Sequence, residues 1–304
     1  MIKKITQQNK TWVFISRPTT EELSEVVKEY KVHSMVAEEL SRPTLRPKVE
    51  KVGSTLYLVL HFPVFLPEEK TSVGMEIDFV VGKNFLITAT HTHTAALGEF
   101  FDAFERDGDR LATLPKSNIG MLLYELLNHL YAFALRELDH IKVKIDGLDA
   151  HIANDHAHAV VRDIFAVRRD ILNFRRAIKP HETVIDSLEK AGTQFFGEPL
   201  RPYLQDISGE YYKVWNLLEN HKETVEALYD ANISYISMRS TEVIKKLTLV
   251  AFITFPLTLA ATIFSMKIAP DSILGAPYDF VIFVSIVVAA ILGMLRLFKK
   301  RQWF

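Results

Sequence analysis

The chain has 304 residues, no cysteine, and a net charge of −1 from 36 Lys and Arg against 37 Asp and Glu. That balance argues against a general nucleic-acid binder, and the lack of cysteine excludes disulfides, thiolate metal sites and cysteine nucleophiles. A mean hydropathy of +0.09 is too low for a bundle of many membrane spans, so most of the chain must face water.

The first residues, MIKKITQQNKTWVFIS, lack the apolar core of a secretory signal, so the bulk of the chain is expected in the cytoplasm. Thr11–Ser16 reads as a short strand. Thr19 followed by Glu22 reads as a capping box opening a helix to about Tyr30, and Ser34 reads as the cap of a second helix through Leu40. Strand signals follow at Leu56–Pro63, Met75–Val81 and Phe85–Thr90, with Gly82-Lys83-Asn84 as a hairpin turn. Residues 1–115 are thus expected to form an α+β domain with a mixed, largely antiparallel sheet.

From Ser117, a candidate cap, the pattern is helical. Ile119, Leu122, Leu123, Leu126, Leu130, Phe133, Leu135 and Leu138 mark a long amphipathic helix. Further helices are expected over 157–177 and 181–191, separated by Pro180, and GEPLRP at 197–202 is the clearest break. Residues 116–208 form this helical region and 209–246 a stalk helix. Tyr211, Val214, Leu218, His221, Val225, Leu228 and Asn232 recur at steps of three and four, the spacing of a helix–helix seam.

Residues 247–266, LTLVAFITFPLTLAATIFSM, carry no charge and are bracketed by Lys245–Lys246 and Lys267. A helix of that length covers roughly 30 Å, about the hydrocarbon thickness of a bilayer. A second apolar segment, 280–298, ends in the basic-aromatic tail 299–304, KKRQWF. Positive charge flanks the outer ends of both segments. The expected topology is therefore two spans joined by an external loop at 267–279, with both termini cytoplasmic and the chain in the cell's inner (plasma) membrane.

Against this layout, Thr241-Glu242-Val243-Ile244-Lys245-Lys246-Leu247-Thr248 resembles the N-E-V-M-K-x-L-T segment of the CorA-type divalent-cation transporters, the two-transmembrane GxN channels. Phe255-Pro256-Leu257-Thr258 is similar to the family's M-P-L-T, and Leu200-Arg201-Pro202-Tyr203 with Gln205-Asp206 to the region where the family has an R-D pair before its stalk. The resemblance implies a homopentameric funnel in a lipid bilayer, with the first span lining a central pore for metal ions. Thr241, Ile244, Leu247, Thr248, Phe255, Thr258 and Thr262 would be pore or gate residues, and Asp206 would hold a regulatory divalent cation, with no other cofactor. The family ends its first span in Gly-Met-Asn, where this chain has Ser265-Met266-Lys267. Lysine has three donors and no acceptor, so Lys267 cannot offer a hydrated cation the amide oxygen that asparagine does.

Two histidine clusters stand apart. His91 and His93 follow the last strand on one face, and His151, His156 and His158 lie near Asp149 and Asp155; either could hold Zn²⁺ or Ni²⁺, although neither spacing is a zinc signature. There is no Walker lysine, nucleophile elbow or HExxH, which argues against an enzyme. The expected function is passage of divalent cations (Mg, Co, Ni or Zn) down their electrochemical gradient. The alternatives are a channel for other or less selective ions and a non-conducting, membrane-anchored scaffold.

Overall fold

A computed structural model describes residues 1–69, 71–92, 95–107, 119–153, 157–265 and 279–300. Ser117, the expected cap, and Met266 and Lys267 lie outside the described residues. The chain divides into two compact units, residues 1–229 and 230–304.

The first unit is built on a sheet of β1 (Ile2–Gln7), β2 (Lys10–Ser16), β3 (Lys48–Val52), β4 (Thr55–Leu66), β5 (Thr71–Val81) and β6 (Phe85–Thr90), in the order β1-β2-β6-β5-β4-β3. Every pairing is antiparallel except β2 with β6. Strand β1 has too little apolar alternation to be read from sequence. It is specified by a two-residue turn in which Gln8 and Asn9 take φ of 44° and 68°, the pairing of positive φ values that closes a tight hairpin. Strands β4 and β5 outrun their expected ends because the ladder continues to the pair Leu66↔Thr71.

Both faces of the sheet are covered, which explains why LYLVLHF reads as one apolar run rather than an alternation. Leu56, Leu58, Leu60 and Phe62 face a large core shared with the helical layer, while Tyr57 and Val59 face a smaller core with Val26, Val36 and Leu40. The smaller core is roofed by α1 (Thr20–Glu29) and α2 (Ser34–Leu40). The capping box is present: Glu22 N–H donates to Thr19 Oγ1 at 3.2 Å, and Thr19 N–H to Glu22 Oε2 at 3.0 Å. The second helix is capped by His33, whose Nδ1 accepts from Met35 N–H at 3.2 Å; Ser34, the expected cap, is its first helical residue.

On the opposite face α3 (Ala95–Arg106), unforeseen from sequence, sets Phe100, Phe101 and Phe104 around the buried indole of Trp12 with centroids 5.8, 4.7 and 5.5 Å away. The layer continues with α4 (Gly120–Ala153), α5 (Ala157–Ile178) and α6 (His181–Phe196). Gly197, at φ +92°, ends α6, and a 3₁₀ turn at Glu198–Leu200 leads into α7 (Arg201–Ser265). The helix therefore begins inside GEPLRP, ahead of the expected stalk start at 209. Pro202 is tolerated in its first turn, where no N–H partner is needed. Tyr211, Val214, Leu218 and Val225 are buried in the large core, so the seam they form is used within this chain, as is the contact of Arg175 with Trp215 (5.2 Å) and Glu219 (3.1 Å).

Two buried polar knots tie the layers. Asp170, 1% exposed, accepts from Thr71 Oγ1 at 2.6 Å on one oxygen and pairs with Lys144 on the other, joining β5, α5 and α4. His181, fully buried, bonds Tyr131 Oη through Nδ1 at 2.8 Å and the carbonyl of His61 through Nε2 at 3.0 Å. A carbonyl can only accept, so Nε2 carries the hydrogen and Nδ1 accepts from the tyrosine. Burial holds the His181 imidazole down at about 3, and it stays neutral in the fold.

A histidine whose folded pKa lies below its unfolded one stabilises the fold above the unfolded value, near 6.5, and that contribution is lost as pH falls from there toward about 3. Urea unfolding of the wild type should show stability falling through this window. His181→Gln, which keeps a donor for the His61 carbonyl, should be less stable at pH 7 by roughly 1–3 kcal/mol and lose much of the acid slope. An unchanged slope would place the acid sensitivity elsewhere.

Candidate functional site

The second unit contains the outer part of α7, from Asp230, and α8 (Asp279–Lys300). Every pore or gate residue expected from sequence lies on α7. At 100° per residue, Thr241, Ile244, Thr248, Phe255, Thr258, Thr262 and the backbone position of Ser265 fall within an arc of roughly 120°, with Leu247 at its edge. One continuous helix thus brings them into a single stripe.

Hydroxyls recur along that stripe. Thr241 donates to the Ser237 carbonyl at 2.9 Å, Thr258 to that of Thr254 at 2.9 Å, and Thr262 to that of Thr258 at 2.8 Å. Such bonding to the preceding turn is ordinary for helical threonine. Its consequence is that each hydroxyl hydrogen is spent on the backbone, and the oxygen keeps acceptor capacity only. Pro256 has no N–H to give, so the helix ladder loses a rung within the apolar stretch.

The same helix leaves large apolar side chains uncovered: Ile244 is 59% exposed, Leu247 64% and Phe255 73%. On α8 Val281, Ile286 and Leu292 are likewise exposed. Among the described residues no helix is long and apolar enough to cross a membrane; the uncharged run of the sequence continues past Ser265 into residues that are not described.

Asp206 lies in the second turn of α7, exposed, and accepts from Tyr124 Oη at 2.7 Å on Oδ2. That acceptor, with burial second, pushes the Tyr124 phenol above its ordinary value. Tyr203 braces the pair, its ring 5.2 Å from that of Tyr124.

A third constellation joins one histidine flagged by the sequence to two carboxylates it left unremarked. Glu76, Asp78 and His91 each bring a ligand atom within 4.8 Å of the others. Burial pushes the Asp78 carboxyl up to about 7 against the opposing pull of the Tyr57 hydroxyl, which donates to its Oδ1 at 2.7 Å. The missed signal was two acids at i and i+2 in MEIDFVV, an otherwise apolar strand covered on both faces. His93, Asp155 and His156 lie outside the described residues; Asp149 and His151 belong to α4, and His158 to α5.

Residues 7–300 match the family described as CorA-like Mg²⁺ transporter protein. The cobalt/magnesium transport protein CorA of Thermotoga maritima is 25% identical over 297 residues, covering 96% of this chain and 83% of that protein. Among solved structures, the complete CorA magnesium transporter of Methanocaldococcus jannaschii superposes with a TM-score of 0.85 at 18% identity, over 97% of this chain and 92% of that one. The full-length CmaX protein does so with 0.71 at 15% identity, over 95% and 88%.

The Tyr124–Asp206 pair is open to direct measurement. A phenolate difference titration of Asp206→Asn against wild type should show one tyrosine ionising at lower pH, because the acceptor that opposes phenolate formation is gone. Tyr124→Phe should cost about 1 kcal/mol in urea unfolding.

Proposed function

This chain belongs to the family of CorA-like Mg²⁺ transporter proteins, and on that premise we propose that it passes divalent cations across the cell's inner membrane down their electrochemical gradient. The observation that carries the reading is the outer half of α7, where an uncharged run with uncovered apolar faces also bears threonine hydroxyls at helical spacing. A surface of that apolarity is unstable in water and calls for lipid or further copies of the chain.

The two needs are met together. Residues 247–266 and 280–298 would cross the bilayer, lysines and arginines at their ends holding both termini in the cytoplasm. A single pair of spans encloses no pathway, so the chain would associate with itself, as a homopentamer by the family resemblance, around the α7 stripe. Threonine oxygens suit a partly hydrated cation, since they accept without carrying charge. Ile244 and Leu247 would form an apolar constriction at the inner mouth that closes by dewetting. Asp206, exposed and with a carboxylate oxygen beyond the one that Tyr124 engages, would offer a ligand for a regulatory divalent cation. Cobalt and magnesium are the ions named for the Thermotoga maritima relative and are the first to try here.

Lys267 favours a second reading for selectivity. A ring of ammonium groups in place of the amide would disfavour divalent ions and admit a less selective or different traffic, and in the limit leave a non-conducting scaffold.

Flux of Mg²⁺, Co²⁺, Ni²⁺, Zn²⁺, K⁺ and Cl⁻ into liposomes holding the purified protein separates these readings. Divalent influx supports the first, K⁺ or Cl⁻ flux alone the second, and no flux of any ion the scaffold. Ile244→Ser should raise resting leak severalfold by keeping the constriction wet; a variant as tight as wild type would move the gate elsewhere. Lys267→Asn should raise divalent conductance, and no change would remove Lys267 from the ion path.

A further inference from the structure

Strand register places Glu76 at the centre of a row. His61 is its partner on β4. On the other side β6 pairs Ala89 with Asp78, and continuing that register past Thr90 sets His91 opposite Glu76. Asp78 lies two residues along β5 and so on the same face, the one covered by α1 and α2. Adjacent side chains on one sheet face sit about 5 Å apart, so two imidazoles and two carboxylates converge from β4, β5 and the residue that follows β6.

We propose that Glu76, Asp78 and His91, with His61 beside them, form a binding site within one chain for a transition-series divalent cation of the Zn²⁺ type. The proposal stands independently of the transport reading. Its strongest support is a buried acceptor with nothing to accept from. Asp78 is 0% exposed, its Oδ2 has no hydrogen-bond partner, and His91 Nε2, also without one, lies 4.0 Å from it. That gap is too long for a hydrogen bond. Two ligands of one zinc ion lie up to about 4.2 Å apart, and nearer 3.4 Å in a tetrahedral site, so a small rotation of the His91 ring brings both into range.

The surroundings are arranged to present these atoms. Tyr57 Oη holds Asp78 Oδ1 at 2.7 Å, leaving Oδ2 turned toward His91. Both oxygens of Glu76 take the Thr44 N–H, at 2.8 and 2.7 Å, and Oε2 is 3.7 Å from His61 Nε2. Fixing a ligand through its second atom is how outer-shell partners raise affinity. Among the described residues, neither carboxylate is paired with a lysine or arginine; Lys48, whose charge reaches Asp78, is engaged by Glu39 at 2.6 Å and Glu50 at 3.5 Å. An imidazole-and-carboxylate set selects Zn²⁺, Co²⁺ or Ni²⁺. Magnesium prefers six oxygens in an octahedron, and imidazole nitrogens serve it poorly.

Full-length protein in detergent, stripped with chelator and dialysed against micromolar Zn²⁺ with magnesium in millimolar excess, tests this by metal counting. Wild type should retain one Zn²⁺ per chain that His91→Ala loses while keeping its circular dichroism, and that Asp206→Asn keeps. Tyr57→Phe, which frees the outer-shell contact, should bind about tenfold more weakly. Co²⁺ loaded in place of zinc should show visible bands that vanish in His91→Ala. No retained Zn²⁺ in wild type, equal retention in His91→Ala and Asp78→Asn, or loss of the same equivalent in Asp206→Asn would overturn the site.

Discussion

A neutral imidazole at the centre of the first unit is the contact on which its layers depend. His181 opens α6, accepts from Tyr131 on α4 and donates to the backbone of β4, so one ring orients sheet and two helices. The aromatic contact with Phe62, 5.0 Å between centroids, completes its packing. A charged ring there would lose its solvation without an anion to replace it, and burial accordingly keeps it unprotonated. With α6 so fixed, its last turns receive α7, Glu189 on α6 taking Arg201 at 3.3 Å and Gln205 at 2.8 Å.

Helix α7 then solves two solvation problems with one backbone. Its inner turns bury Tyr211, Val214 and Leu218 against the first unit, where the apolar seam is covered by the chain's own helices. Its outer turns leave Leu247 and Phe255 uncovered, and no residue of the described chain shields them. Under the proposed function, a bilayer together with further copies would supply that cover without requiring any charge to be buried. The hydroxyl stripe fits that solution, since each threonine satisfies its own hydrogen on the preceding turn and costs little to place in an apolar setting.

The two polar constellations of the first unit differ in a way that bears on function. Asp206 is exposed, and one of its oxygens accepts from Tyr124. Asp78 is buried, and its Oδ2 has lost water without gaining a hydrogen-bond donor, which disfavours the bare carboxylate.

Local periodicity was enough for much of this protein. The capping box at Thr19, the hairpin at Gly82–Asn84 and the break at GEPLRP all follow from spacings of a few residues, because a helix or hairpin is set by neighbours in sequence. The motif from Thr241 to Thr248 also carried the family. Tertiary structure decided what depends on distant partners. Strand β1 exists through its pairing with β2, and α3 through the pocket around Trp12. His33 rather than Ser34 caps α2, since the cap depends on backbone angles that sequence leaves open. The seam from Tyr211 to Val225 is consumed within the chain. The meeting of Glu76, Asp78 and His91 was likewise invisible, because strand register brings together residues from β5 and the end of β6, and no spacing along the chain encodes which strands lie side by side.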